Sequence, residues 1–207
     1  MYLWRSLSET ERKEVLGHRK RNSLPWHSPP HFQSGTTDRY LLTAACYEHR
    51  SHIGTSSDRL TAFEAALVGE LRPIAWAVLP NHYHALILTR DILGVLGRIG
   101  RLHGRTSHAW NTEDRSRGRK VWSGAAETAM KSERHYWATV NYIHHNPVKH
   151  GHVTRWQDWP WSSAGQFLET EGRDEARRIW RGFPVGEYGD GWDTYVDPGD
   201  TEESQHA

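Results

Sequence analysis

The chain has 207 residues, enough for one core of about 150 residues with tails and too few for two large domains. Its mean hydropathy is −0.80, and no apolar run approaches the roughly 20 residues of a membrane span, so the expectation is a cytoplasmic protein with no membrane partner. The single cysteine, Cys46, excludes an internal disulfide framework, and the first residues, "MYLWRSLSETERKEVLGHRKRN", are charged where a secretory signal is apolar.

The net charge of +1 conceals a segregation of sign. Seven acids and no Lys or Arg fall between Glu187 and Ala207, leaving eight positive charges in excess on the rest of the chain. Arg98, Arg101, Arg105, Arg115, Arg117, Arg119 and Lys120 cluster against Glu113 and Asp114 alone, and Arg19, Lys20 and Arg21 form a second basic group. Such a surface attracts a phosphate backbone.

Taken in chain order, Ser8 to His18 is an amphipathic helix, and the proline-rich "SLPWHSPPHFQSGTT" is an irregular arm that closes a first segment, 1–38. "RYLLTAACYE" reads as a central strand. "SSDRLTAFEAALVGEL" follows with a Ser or Asp cap and Leu60, Phe63, Ala66 and Leu67 at helical spacing. "RPIAWAVL" and "HYHALILT" are strands joined by the turn dipeptide Pro80-Asn81, which predicts a hairpin. Leu93, Leu96, Ile99 and Leu102 predict a second helix, "TEDRSRGR" a mobile loop, and Val121 marks a short strand. The last helix of the core is capped by Ser132, repeats Tyr136, Val140 and Ile143, and is predicted to end near Asn146 ahead of Pro147.

The order predicts an α+β fold, a ferredoxin-like βαββαβ sandwich whose antiparallel sheet carries helices on one face, followed by a C-terminal helix bearing Tyr142. "QFLETEGRDEARRIWRGF" adds a terminal helix, and the acidic tail is expected to be only partly ordered.

In "VLPNHYHALILT", His82 and His84 are two residues apart on a strand and point to the same side, with Tyr83 opposite. Two imidazoles make part of a metal site and need a third ligand; an ordinary hydrogen-bonded pair near a turn is the alternative. At 100° per residue Tyr142 and Asn146 fall within about 40° of each other, on a face read as not needed for the core. A tyrosine hydroxyl can attack phosphorus, and an asparagine carbonyl is a hard ligand suited to Mg²⁺ or Mn²⁺. The plainer roles are a tyrosine at the edge of a core and a helix-terminal asparagine.

"PNHYHALI", then "YIHHNPVKHG" some sixty residues on, then "DWPWSSA" resemble the REP-associated tyrosine transposases, relatives of single-tyrosine insertion-sequence transposases within the HUH superfamily of single-strand DNA nucleases. The likeness runs from about Arg39 to Gly165. It implies a 39–165 nuclease domain and a 166–207 extension, with His82, His84 and Asn146 as metal ligands and Tyr142 as nucleophile. It further implies Mg²⁺ or Mn²⁺ as cofactor, a 5′-phosphotyrosine intermediate, and single-stranded or hairpin palindromic DNA as partner of a monomer or homodimer. The family pattern Trp-x-Gly-Arg-Tyr/Phe-Lys is broken here, since Trp122-Ser123-Gly124 runs into "AAETAM". That departure keeps open a non-catalytic hairpin-binding module, and a small-substrate metallohydrolase is a third reading. The basic residues named above, with exposed aromatics, would hold DNA, whereas "WPWSS" reads as a packing plug beneath the tyrosine helix.

Overall fold

A computed structural model describes residues 8–21 and 37–186. Helix α1 (Glu9–Arg21) starts at Ser8, whose hydroxyl accepts from the Glu11 amide at 3.3 Å while Glu11 reaches back to the Ser8 amide at 2.6 Å, a reciprocal capping box. The predicted arm and the acidic tail lie outside the described residues, as do the side chains of Arg19 and Lys20; Arg21 is exposed.

The core elements are β1 (Arg39–Cys46), α2 (Ser57–Leu71), β2 (Ala75–Val78), β3 (His82–Leu88), α3 (Ile92–Glu113), β4 (Trp122–Ala129) and α4 (Glu133–Lys149). The sheet order is β2-β3-β1-β4 with every neighbouring pair antiparallel, which is the ferredoxin-like arrangement expected from the element order. The segment around Val121 forms a full eight-residue strand on β1.

Alternation along the strands sorts the core into two layers. Tyr40, Leu42 and Ala44 of β1 and Tyr83, Ala85 and Ile87 of β3 pack with Phe63, Ile99 and Leu102 of α2 and α3. Leu41 and Leu86 point the other way and pack with Val140, Tyr142 and Ile143 of α4. The expectation that the two helices of the βαββαβ unit share one face holds for α2 and α3, and the added α4 covers the opposite face, because both sides of β1 and β3 are apolar and each needs a cover.

Four expectations are corrected. Helix α4 does not stop at Asn146 but continues through a buried Pro147 to Lys149. Its stop is set by Gly151 at φ 71°: the Gly151 amide bonds Val148 O and the His152 amide bonds Pro147 O, both at 2.9 Å, so the proline sacrifices one helical hydrogen bond in a last turn that is otherwise well closed. The single terminal helix is two, α5 (Ala164–Glu171) and α6 (Arg173–Gly182), broken at Gly172 with φ 79°. The "TEDRSRGR" loop is pinned rather than mobile: Asp114 accepts from the buried Arg59 at 2.7 Å and from Arg119 at 2.6 Å. Those guanidinium hydrogen bonds, Arg59's first, hold the Asp114 carboxyl down at about 2. Finally, Tyr142 and Asn146 are buried between helix and sheet, not on a spare face.

The plug reading of "WPWSS" is correct. Val78 N bonds Trp161 O at 2.8 Å, Trp159 Nε1 donates to Val78 O at 2.9 Å, and Ser163 Oγ sits 2.9 Å from His144 Nε2, so this segment seals the β2 edge against α4.

The turn ahead of His82 is held by close backbone approach. Ile53 and Gly54 both donate to Pro80 O, at 3.0 and 2.9 Å, and a Cβ on Gly54 would stand 2.3 Å from Pro80 Cβ and 2.7 Å from Pro80 Cα. Gly54→Ala is expected to destabilise the protein by about 1–3 kcal/mol, read as a lower urea midpoint; an unchanged midpoint would mean that this loop can swing away at no cost.

Candidate functional site

The site lies on the α4 side of the sheet, where the first residues of β3 meet the middle of α4. Strand geometry sends His82 and His84 to this side, their rings 5.1 Å apart and near perpendicular. Both are buried, at 2% and 0% exposure, so they are core residues as well as candidate ligands.

Neighbouring polar groups orient each ring. Asn81 donates to His49 O at 3.0 Å, which turns its own Oδ1 onto His82 Nδ1 at 2.7 Å. His82 Nδ1 is then the protonated nitrogen, and Nε2 carries the lone pair. On β1, opposite His84, Thr43 Oγ1 lies 2.9 Å from His84 Nδ1. With Thr43 accepting, both Nε2 atoms present lone pairs toward α4, the way a metal-binding histidine is held by its second nitrogen.

Across from them, Asn146 Oδ1 is 3.0 Å from His82 Nε2, and the Tyr142 hydroxyl is 3.4 Å from His84 Nε2. The pairing at His82 sets one acceptor against another, while Asn146 Nδ2 is buried with no hydrogen-bond partner among the described residues. A divalent cation held between these atoms would remove the clash of acceptors, as would turning the Asn146 amide so that Nδ2 donates to His82 Nε2. Two ligands held at right angles about 2.1 Å from one ion are about 3 Å apart; imidazole nitrogens are ligands for Zn²⁺, and an amide oxygen is a ligand for Mg²⁺ or Mn²⁺. No group of three His, Cys, Asp or Glu able to hold a metal occurs among the described residues.

Helical spacing adds neighbours. Lys149 Nζ lies 5.5 Å from the centre of the Tyr142 ring, and the His150 ring is 4.9 Å from that of His82. Sequence reasoning passed over Thr43, Asn81, Lys149 and His150. The available signals were one hydroxyl in the otherwise apolar "YLLTAAC" and the i+7 and i+8 spacing of Lys149 and His150 from Tyr142.

The basic residues named between Arg98 and Lys120 are not at this site. α3 packs on the opposite face of the sheet, with Arg101, Arg115 and Arg117 exposed and Arg98 partly buried. Arg105 pairs with Glu70 at 3.2 Å, Arg119 with Asp114, and Lys120 lies 4.4 Å from the centre of the Tyr47 ring. The opposite layer is also where Tyr83 donates to or accepts from His103 at 3.1 Å, beneath Trp122, whose ring stacks on His103 at 4.0 Å. Trp122 is thus a core residue, and the strand after it keeps Gly124 but presents Ala125, Ala126 and Glu127 in place of the basic and aromatic residues of the transposase pattern.

Fold and site together define a ferredoxin-like domain with a His-x-His strand facing a helix-borne tyrosine and asparagine. The chain is similar to the REP-associated tyrosine transposase of Escherichia coli (strain K12): the two are 29% identical over 156 residues, an alignment covering 73% of this chain and 85% of the relative. A solved structure of the REP-associated tyrosine transposase bound to a REP hairpin aligns at 19% identity and a TM-score of 0.48, covering 89% of this chain and 99% of that one. No protein-family model matches the chain.

Proposed function

We propose that residues 39–165 form a metal-dependent single-strand DNA endonuclease and strand transferase of the transposase type, acting in the cytoplasm on hairpin or palindromic DNA, with 1–38 as an arm and 166–207 as an extension. The observation that carries this reading is the convergence of His82 Nε2, His84 Nε2, Asn146 Oδ1 and the Tyr142 hydroxyl, with pairs 3.0 and 3.4 Å apart. The similarity to a tyrosine transposase of Escherichia coli supports it independently.

His82, His84 and Asn146 would hold Mg²⁺ or Mn²⁺, which when bound supplies positive charge to a non-bridging oxygen of the scissile phosphate. Tyr142 attacks: its oxygen bonds to phosphorus as the bond to the 3′ oxygen breaks, the phenol gives up one proton and the departing 3′ oxygen takes one. The products are a 5′-phosphotyrosine and a free 3′-OH. The new ester retains the energy of the old one, so the 3′-OH of another strand can reverse the step without ATP. Thr43 and Asn81 keep the imidazoles in one tautomer, and α4 fixes the tyrosine one turn before Asn146.

One observation favours a second reading, a hairpin-binding module that does not cut. Tyr142 is only 1% exposed, and β4 has small residues after Trp122. The test is incubation of 3′-labelled hairpin oligonucleotides with randomised single-stranded flanks, with Mg²⁺ or Mn²⁺, followed by a denaturing gel. A protein-linked band that EDTA prevents is expected; DNA binding without any such band would establish the module instead.

A further inference from the structure

The Tyr142 side of the sheet needs its own contacts for a strand, because the α3 arginines stand behind it. We propose that α6, together with His145 and Lys149 of α4, is a platform for the unpaired DNA that flanks the phosphate presented to Tyr142; this rests on the DNA-cleaving reading of that site.

The placement follows from two helices. Along α4, at 100° per residue, Asn141, His145, Lys149, Tyr142 and Asn146 follow one another around the helix at steps of about 20–40°. Asn141 anchors α6: its buried amide donates to Phe183 O at 2.8 Å and Ile179 O at 3.3 Å, satisfying carbonyls at that helix's C-terminus. His145 comes next, its ring 5.1 Å from Trp180 of α6. Lys149 follows, exposed, over the Tyr142 ring. A continuous band thus leads from the candidate nucleophile to α6.

On α6 only Ala176 and Ile179 are buried. Turning away from that seam, Trp180, Arg173, Arg177 and Arg181 fall in sequence on one flank, while Arg178 turns to the other and is held by Glu175 at 2.7 Å. Arg177 meets Asp174 only at 3.9 Å, both exposed, a pairing that competes weakly for the guanidinium. Trp180 is 38% exposed, a large ring left in water beside three arginines and a lysine. Exposed indole plus aligned guanidinium groups is the chemistry that holds an unpaired strand, one base stacked and neighbouring phosphates neutralised. Charge chooses this occupant over an apolar partner.

The test uses the full chain and a fluorescent single-stranded oligonucleotide of random sequence carrying 5-iodouracil. Trp180→Ala is expected to weaken binding about tenfold, within the range that loss of one stacked base produces. Arg177→Ala with Arg181→Ala is expected to flatten the logarithmic salt dependence by about 1.4, roughly 0.7 for each phosphate contact on a single strand. Photo-crosslinking should mark the peptide containing Trp180. All three side chains are exposed, so thermal stability should stay at the wild-type value. Wild-type affinity in the variants, or crosslinks confined to α3, overturns the proposal. Tighter binding in the arginine variants also overturns it, showing that the platform holds the acidic segment after Gly186 instead. Weakened binding by the variants of a chain that never forms a covalent adduct keeps the platform and removes only the cleavage reading.

Discussion

Tyr142→Phe is expected to abolish the covalent DNA adduct and leave DNA affinity at the wild-type value. Only the hydroxyl oxygen can join phosphorus, and the substitution deletes that atom and nothing else. Its cost to the fold is about 1 kcal/mol or less, since the hydroxyl's contact with His84 Nε2 is long, at 3.4 Å, while the ring keeps its edge-on packing with His84 at 5.0 Å. Tyr136→Phe is the matched control. Tyr136 lies near the start of the same helix, half-buried, with the Arg39 guanidinium 4.5 Å from its ring centre, and it is far from His82 and His84 in the register of the sheet, since Arg39 pairs with Leu88 at the opposite end of β3. It should form adduct at the normal rate. Adduct from Tyr142→Phe, or an inactive Tyr136→Phe, would show that the nucleophile is misassigned.

Most of this architecture was legible in the sequence because its signals are local. The alternation of "HYHALIL" fixes which way His82 and His84 point, Ser132 fixes where α4 begins, and Pro80-Asn81 fixes the hairpin. What was misread depends on the tertiary environment. The helical wheel gave Tyr142 and Asn146 a common face, correctly, but could not know that the second side of β1 and β3 would claim it as core. Pro147 was given more weight as a breaker than Gly151, although the left-handed Gly151 is what closes the helix. The basic run from Arg98 to Lys120 is plain in the sequence, yet its position behind the sheet follows from the parity of β3, which puts Tyr83 toward α3 and the two histidines away from it. The α6 flank escaped notice because only the winding of the helix lines Arg173, Arg177 and Arg181 up beside Trp180 and turns Arg178 onto Glu175.

Lowering the pH from 7 to 5 is expected to remove about 4 kcal/mol of stability, a large part of the 5–15 kcal/mol typical of a domain. Two buried histidines outside the candidate site account for it. His103 lies under Trp122 against the Tyr83 hydroxyl, and burial pulls its pKa down to about 4. His144 is enclosed by Trp156 and Phe167 with Nε2 on Ser163, and burial pulls it to about 3. In the unfolded chain both titrate near 6.5. At pH 7 the native histidines are unprotonated and the unfolded ones only about a quarter protonated, so the shifts have little effect. Below 6.5 the unfolded chain takes up protons that the native one refuses, so stability falls by up to about 1.4 kcal/mol per pH unit for each histidine, or about 2 kcal/mol each by pH 5. The fall continues until the native histidines themselves protonate near pH 4 and 3. His52, His135, His145 and His152 are also held below their ordinary range by burial and act in the same direction. Asp114, depressed from 3.8 to about 2, adds its own loss only below about pH 4, when its ion pairs with Arg59 and Arg119 are titrated. Urea unfolding at the two pH values measures the difference. In His144→Gln, which keeps a polar group for Ser163 but does not titrate, the loss between pH 7 and 5 should shrink to about 2 kcal/mol. A wild-type stability that is flat from pH 7 to 5 would mean that His103 and His144 accept protons within the native core.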